Sequence, residues 1–252
     1  MTVTLVVIAA LFGALLGSFL NVVVHRLPRG ESLVTPGSHC PSCATPVKPY
    51  DNVPVVAWLW LRGRCRACRA AISVRYPLVE ATTALLCVGV VLTQSSAVSI
   101  ALGVLAVLVL VPVALIDLDF HLIPNRITAP AAVLAIALGS ALDPSGELVR
   151  VIAAVAAAGF FGLAAVISPG GMGMGDVKLA GVMGLLLGYS VAPALLIALI
   201  AGVSIGLIVL ARRDPGDRRG VGVPFGPSLA LGGLVAVFAG HAIITAYLHV
   251  LG

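Results

Sequence analysis

Apolar runs of about twenty residues recur along this chain, and they leave room for one kind of fold. A membrane-spanning α-helix needs roughly 20 mostly apolar residues. Eight stretches approach that length: 3–25, 77–94, 97–116, 127–142, 149–168, 177–190, 191–211 and 225–250. The fourth and sixth are short, and the join around Tyr189 to Pro193 is weakly marked. Of the 252 residues, 60% are hydrophobic and only 10% charged, where a soluble domain carries about a quarter charged residues. A water-soluble fold of this length cannot hide so much apolar surface. The apolar residues are mostly Ala, Val and Leu, with 28 Gly and 5% aromatics. That mix suits close-packed helices in a lipid bilayer and not a barrel with alternating polarity and aromatic girdles. The expected fold is therefore an all-α polytopic membrane protein of about eight transmembrane helices.

The polar residues are confined to the joins. The long one, about 26–76, is rich in Pro, Cys and Arg and reads as a small loop-rich module inserted after the first helix. A second runs from Arg212 to Arg219. The first apolar run reads as a spanning helix and not as a cleaved signal, because it lacks a basic n-region and exceeds a signal h-region in length. With eight alternating spans, 14 of the 15 Lys and Arg fall on one side. These are Arg26, Arg29, Lys48, Arg62, Arg64, Arg66, Arg69 and Arg75, then Arg126 and Lys178, then Arg212, Arg213, Arg218 and Arg219. Only Arg150 falls on the other. The positive-inside rule makes the common side cytoplasmic and puts both termini outside. The net charge of +5 is thereby a membrane-surface feature, with no nucleic-acid partner expected.

Five cysteines occur, and four form two CxxC pairs, Cys40–Cys43 and Cys65–Cys68, with 21 residues between them. In a cytoplasmic, reducing loop such pairs bind metal in preference to forming disulfides. Four thiolates complete a tetrahedral zinc site with no open position, so the zinc is expected to be structural and to fold a module too small to hold itself together. His39 is superfluous to that set and reads as a solvated loop residue. Cys87, inside an apolar run, reads as a small buried side chain.

Acids inside a membrane cost about 2.5–3.5 kcal/mol each on insertion scales, and two of the ten here stand where the helix count brings them together. Asp117 ends the third run, in LVPVALIDLDFHLIPN, and Asp176 begins the sixth, in PGGMGMGDVKLAG. They are 59 positions apart, yet both fall at the cytoplasmic face. Two carboxylates sharing a site cannot both ionise cheaply, so they hold one proton between them and act as one acid–base pair. Such a pair cleaves peptides: one carboxylate takes a proton from water, the other polarises the scissile carbonyl. Interfacial acids that merely cap helices or pair with Lys178 or Arg126 would look similar. The run Gly173-Met-Gly175-Asp176, in a glycine-dense stretch beginning at Gly170, favours the catalytic reading, because missing Cβ atoms let an extended substrate pass beside the acid.

The motifs in their order resemble the type IV prepilin leader peptidases, the bifunctional GxGD aspartic peptidases of bacterial pilus, competence and type II secretion systems. The matching pieces are Gly17–Pro28 (GSFLNVVVHRLP), the two CxxC pairs, Arg75–Glu80 (RYPLVE), Ile116-Asp117 with Ile123-Pro-Asn125, Gly173–Leu179 (GMGDVKL) and Pro224–Pro227 (PFGP). The resemblance implies that Asp117 and Asp176 are the catalytic aspartates. Asp119 is the rival for the first role, ranked lower because Asp117 has the family spacing to Pro124. It also implies a second activity, N-methylation of the new pilin terminus with S-adenosylmethionine. No Gly-rich nucleotide loop marks a site for that cofactor. Arg26, Glu31 and Glu80 are polar groups at the membrane face that could line one, or could be a snorkelling Arg and helix-end caps. Lys178 either tunes Asp176 or reaches toward headgroups.

On this reading residues 1–76 carry the first helix and the zinc module, the expected methyltransferase region, and residues 77–252 the membrane peptidase. The implied substrates are prepilin or pseudopilin precursors, each with a short basic leader before a long apolar helix, cut at the cytoplasmic face of the bacterial inner membrane. The alternatives are a peptidase without methyltransferase activity, and a non-catalytic membrane scaffold or transporter with a zinc-bound loop.

Overall fold

A computed structural model describes residues 3–167, 172–212 and 224–251. Gly170, Gly171, Arg213, Arg218 and Arg219 lie outside the described residues. The chain forms two compact units, Met1–Thr93 and Gln94–Gly252. The second apolar helix therefore belongs with the first, on the N-terminal side of the division, rather than with the helices that follow residue 76.

In the first unit, α1 (Val3–Arg26) and α3 (Arg75–Thr93) run antiparallel. Small residues set how closely they approach. A Cβ on Gly13 would sit 2.8 Å from the Ala84 Cα, and one on Gly17 would sit 2.8 Å from the Glu80 Cα. Lipid supplies no hydrophobic drive between helices, so close backbone packing of this kind does the work. Cys87 is 1% exposed in the same seam, the small buried apolar residue expected. Asn21 donates from Nδ2 to the Tyr76 carbonyl at 3.2 Å, closing the seam at its polar end.

Between these helices lies the polar module, which holds only a five-residue helix, α2 (Val56–Trp60), and short 3-10 turns. Two knuckles are built alike. In the first, Cys40 N–H donates to Thr45 O and Ala44 N–H to Cys40 O. In the second, Cys65 N–H donates to Ala70 O and Arg69 N–H to Cys65 O. Isolated bridges flank each, His39 with Pro46 and Arg64 with Ala71, and Ala44 and Arg69 both take positive φ, 57° and 62°. His39 stays on the exposed rim, as expected. Arg66 grips Asp51 through two parallel contacts, Nε to Oδ2 at 2.7 Å and Nη2 to Oδ1 at 2.5 Å. The hydrogen-bonded guanidinium holds the Asp51 carboxyl below its usual range. The bridge therefore stabilises the module above about pH 4, and that contribution is lost as pH falls through the lowered value.

The second unit holds six helices: α4 (Ala97–Phe120), α5 (Asn125–Leu142), α6 (Pro144–Ile167), α7 (Met174–Leu187), α8 (Val191–Ala211) and α9 (Gly226–Leu251). Ser96 caps α4, its Oγ accepting the Ser99 N–H at 3.1 Å. The order of contacts along each seam gives the directions. Gly184 meets Ala154 and Gly181 meets Ala158, so α6 and α7 are antiparallel. Gly240 meets Ser190, Gly232 meets Ala194 and Ala198, and Gly202 meets Phe225, so α8 and α9 are antiparallel. Gly233 meets Leu110 and Met183 and Gly226 meets Asp117, which sets α4 against α9 and α7 alongside α9. Hence α7 runs inward and α8 returns. Phe161, Leu110, Ile116, Leu179, Met183 and Leu229 are fully buried between them.

Seven helical stretches are long and apolar enough to cross a membrane. The longest, Met174–Ala211, contains both the sixth and seventh expected spans. Gly188, at φ 55° and ψ −130°, and a 3-10 turn to Ser190 divide it into α7 and α8. The 14 residues of α7 reach only about 21 Å at 1.5 Å per residue, which is why it is not a full span by itself. Large apolar side chains such as Leu11, Phe12, Leu163 and Val166 are exposed on outward faces, the arrangement a lipid solvent requires. The protein is a multi-pass membrane protein. Arg150, the one cation expected away from the others, is buried. It pairs with Asp143 at 2.9 Å and Glu147 at 3.0 Å and donates to the Gly139 and Asp143 carbonyls. Its charge is thus spent inside the protein.

Candidate functional site

Asp117 lies one turn inside α4 and not at its end. The helix continues to Phe120, and His121 closes it in the left-handed region at φ 52°, its N–H donating to the Asp117 carbonyl. The Asp117 side chain is 6% exposed. Its Oδ2 accepts the backbone N–H of Gly226 at 2.8 Å. Gly226 is the first residue of α9, so the carboxylate meets one of the amides that a helix start leaves without an internal partner. A Cβ there would stand 2.7 Å from Oδ2, so position 226 accepts only glycine without displacing the acid.

Asp176 occupies the first turn of α7. Its Oδ2 accepts the Gly173 N–H at 3.2 Å. This is half of a capping box, since Gly173 brings no side chain to return the bond. Gly175 turns toward the strand of residues leaving α4, and a Cβ on it would lie 2.9 Å from the Ile123 Cβ. The second glycine of the GxGD run is thus a packing requirement that seats α7 against the Ile123-Pro124-Asn125 turn. Asp176 is close enough to Asp117 for the Asp117 charge to act on it. Asp119, two residues on, is exposed.

Lys178 follows neither expectation. It donates from Nζ to the Asn125 Oδ1 at 3.0 Å, tying α7 to the start of α5. Gly226 is the site residue that the sequence reading left out. The Pro224–Pro227 motif was the available signal, but a backbone N–H has no letter in the sequence, so its role is visible only in the fold.

In the first unit the four thiols come together. Cys40, Cys43, Cys65 and Cys68 place their sulfurs within 4.8 Å of one another, with Cys40–Cys68 at 3.7 Å and Cys43–Cys65 at 4.0 Å. Zinc–thiolate bonds of about 2.3 Å at tetrahedral angles set sulfurs roughly 3.8 Å apart, so the cluster could hold such an ion without rearrangement. The Thr45 hydroxyl and backbone N–H bring the Cys43 thiol down to about 6, and backbone N–H groups of Cys68 and Ala67 lower Cys65. Cys68 lies at about 11: the Ala70 N–H favours its thiolate, but the neighbouring thiols, Cys43 foremost, and burial oppose it. A divalent cation removes that opposition by drawing all four to the thiolate.

Of the three polar groups weighed as cofactor ligands, Arg26 and Glu80 are drawn into one region. Glu80 is buried, accepting the Val55 N–H at 2.7 Å and a hydrogen bond from Ser18. Arg26 donates to the Ser32 carbonyl at 3.1 Å and faces a cavity. Glu31 is exposed and does not line that cavity.

A polytopic helical protein with a glycine-braced aspartate pair in one unit and a four-cysteine metal cluster in the other defines a class, the membrane-embedded aspartic peptidases. Comparison with known proteins is more specific. Residues 11–94 match the bacterial peptidase A24 N-terminal domain and residues 104–210 the type IV leader peptidase family. The chain is 36% identical over 268 residues to a prepilin leader peptidase/N-methyltransferase of Aeromonas hydrophila, covering 94% of this chain and 92% of that protein. It is 33% identical over 279 residues to the protein of that name from Pseudomonas aeruginosa, covering 96% and 93%, and 34% identical over 279 residues to that of Pseudomonas putida, covering 98% and 95%. No solved structure matches the chain. The chain belongs to the type IV leader peptidase family.

Proposed function

We propose that this protein removes the basic leader from prepilin or pseudopilin precursors and N-methylates the terminus so exposed, with Asp117 and Asp176 as the catalytic pair. The observation that carries the peptidase reading is the meeting of two acids, 59 positions apart, beside the amide of Gly226. No packing need explains them, since a lone buried acid in lipid is a net cost. One carboxylate, ionised, takes a proton from a water held between the two. The oxygen of that water attacks the scissile carbonyl carbon, and the protonated partner donates to the carbonyl oxygen. As the tetrahedral intermediate collapses, the C–N bond breaks and the proton taken from water passes to the leaving amine. Gly226 keeps Asp117 in place throughout, and Gly173 does the same for Asp176.

The names of the relatives support the methyltransferase half. S-adenosylmethionine, when bound, supplies an electrophilic methyl group. The amine nitrogen takes it as the bond to sulfur breaks, with sulfur keeping the electron pair and water taking the amine proton. We assign this activity to the Met1–Thr93 unit and cleavage to the Gln94–Gly252 unit. Zinc held by the four cysteines supplies structure and not chemistry, because four thiolates leave no position for water. We place both sites on the cytoplasmic side of the bacterial inner membrane, where the distribution of Lys and Arg favours them.

The test is cleavage of a prepilin by the purified protein in detergent. Asp117→Asn and Asp176→Asn should each lower the rate by about 100-fold or more with the protein still inserted and zinc-loaded. Full activity in either variant removes that residue from the mechanism. Transfer of labelled methyl to the cleaved pilin tests the second activity separately, and its absence from an active peptidase leaves a peptidase alone.

A further inference from the structure

We propose that a cavity in the Met1–Thr93 unit seats the methyl donor, an inference that rests on the N-methyltransferase reading above. The cavity, about 270 Å³, opens between the C-terminal half of α1 and the loop 33–38, with Asn52 at its rim. Its walls are divided. Leu15, Phe19 and Val22 on α1 give one apolar side, while Ser18, Arg26 and Asn52 bring polar groups. S-adenosylmethionine has the same division: an amino-acid end with a carboxylate, an apolar thioether, and a flat base that packs on aromatic and aliphatic surface. Apolar pockets that bind small molecules carry a few placed polar groups of this kind.

Three further observations fit a charged donor. Ser18, Val22 and Arg26 recur every four residues, so one face of α1 runs from the apolar wall to a guanidinium. Among the described residues Arg26 spends one donor, on the Ser32 carbonyl. Its planar fork retains others suited to a carboxylate. Behind the wall, Ser18 hydrogen-bonds to Glu80, which also holds the Val55 N–H, three residues beyond Asn52. A carboxyl group is thus held one side chain away from the cavity by both the helix and the module, available to a cationic sulfonium. The unit also spans the matched peptidase A24 N-terminal domain.

The experiment uses the full chain, purified with its zinc in nanodiscs. Binding of S-adenosylmethionine and of S-adenosylhomocysteine is measured by equilibrium dialysis, and ultraviolet cross-linking of methyl-labelled donor is mapped by peptide sequencing. Arg26→Ala should weaken donor binding about tenfold or more, the loss expected for one charge-assisted hydrogen bond, and Arg26→Lys should weaken it less. Ser38→Trp, on the exposed loop that covers the cavity, should block binding while zinc content stays at one per chain. It keeps the test open should Arg26→Ala misfold. Label should fall within residues 15–52. Donor binding unchanged in both Arg26→Ala and Ser38→Trp overturns the proposal, as does label confined to another part of the chain. If anionic lipid in the disc competes with the donor in the wild type but the variants bind donor normally, the cavity is a headgroup site and the proposal is equally overturned. A wild-type protein that cleaves pilin but neither binds donor nor methylates would instead refute the methyltransferase reading itself.

Discussion

Asp117 and Gly226 stand 109 positions apart and depend on each other: the acid needs the amide, and the amide reaches it only because position 226 has no side chain. Gly226→Ala should therefore displace the carboxylate and lower the cleavage rate, by about 100-fold if the acid is carried off its line of attack, with substrate affinity changed much less. A steady-state comparison of kcat and KM reads this directly. Asp119→Asn provides the contrast. Its side chain is exposed and two residues from the buried acid, so cleavage should stay within about threefold of wild type, in the range of ordinary surface substitutions. A loss as large as that of Asp117→Asn would transfer the catalytic role to Asp119.

At the scale of helices, small residues govern how the elements approach. Gly184 backs directly onto the Ala154 backbone, closer than any Cβ permits, and Gly232 does the same against Ala194. Gly184→Val should part α6 from α7 and destabilise the second unit by about 1–3 kcal/mol, the usual cost of overpacking, seen as a lower melting temperature in detergent. Because α7 carries Asp176 in its first turn, cleavage should fall as well, even though position 184 is two turns from the acid. Glycine density in the sequence announced such seams. Which glycine meets which backbone depended on directions that only the packed bundle supplies, as with the reversal at Gly188–Ser190 that makes two helices of one 38-residue apolar stretch.

For the whole molecule, stability divides between a lipid-packed helical body and a module too small for a core of its own. Removing zinc with a strong chelator should release one ion per chain and expose residues 38–72 to proteolysis, while helical circular dichroism persists. Acidity should act in the same direction. Cys43 ionises from about pH 6 upward, so zinc uptake by the metal-free protein should strengthen above that pH and weaken below it as protons compete for sulfur. Zinc titrations at pH 5, 6 and 7 measure the trend, and a pH-independent affinity would show that the thiols are not the ligands.

What the sequence determined by itself is whatever depends on residue type and spacing along the chain. The apolar runs dictated helices in a bilayer, the paired cysteines a tetrahedral ligand set, and the Asp117 and Asp176 motifs a candidate acid pair. What only the tertiary structure decided involves backbone groups and contacts across distant segments: the Gly226 amide on Asp117, Lys178 held by Asn125, α3 joined to α1, Arg150 neutralised within a buried cluster. A main-chain N–H is the same in every residue but proline, and a close approach between helices belongs to the pair, so neither leaves a mark in a linear string of side chains until the chain is folded.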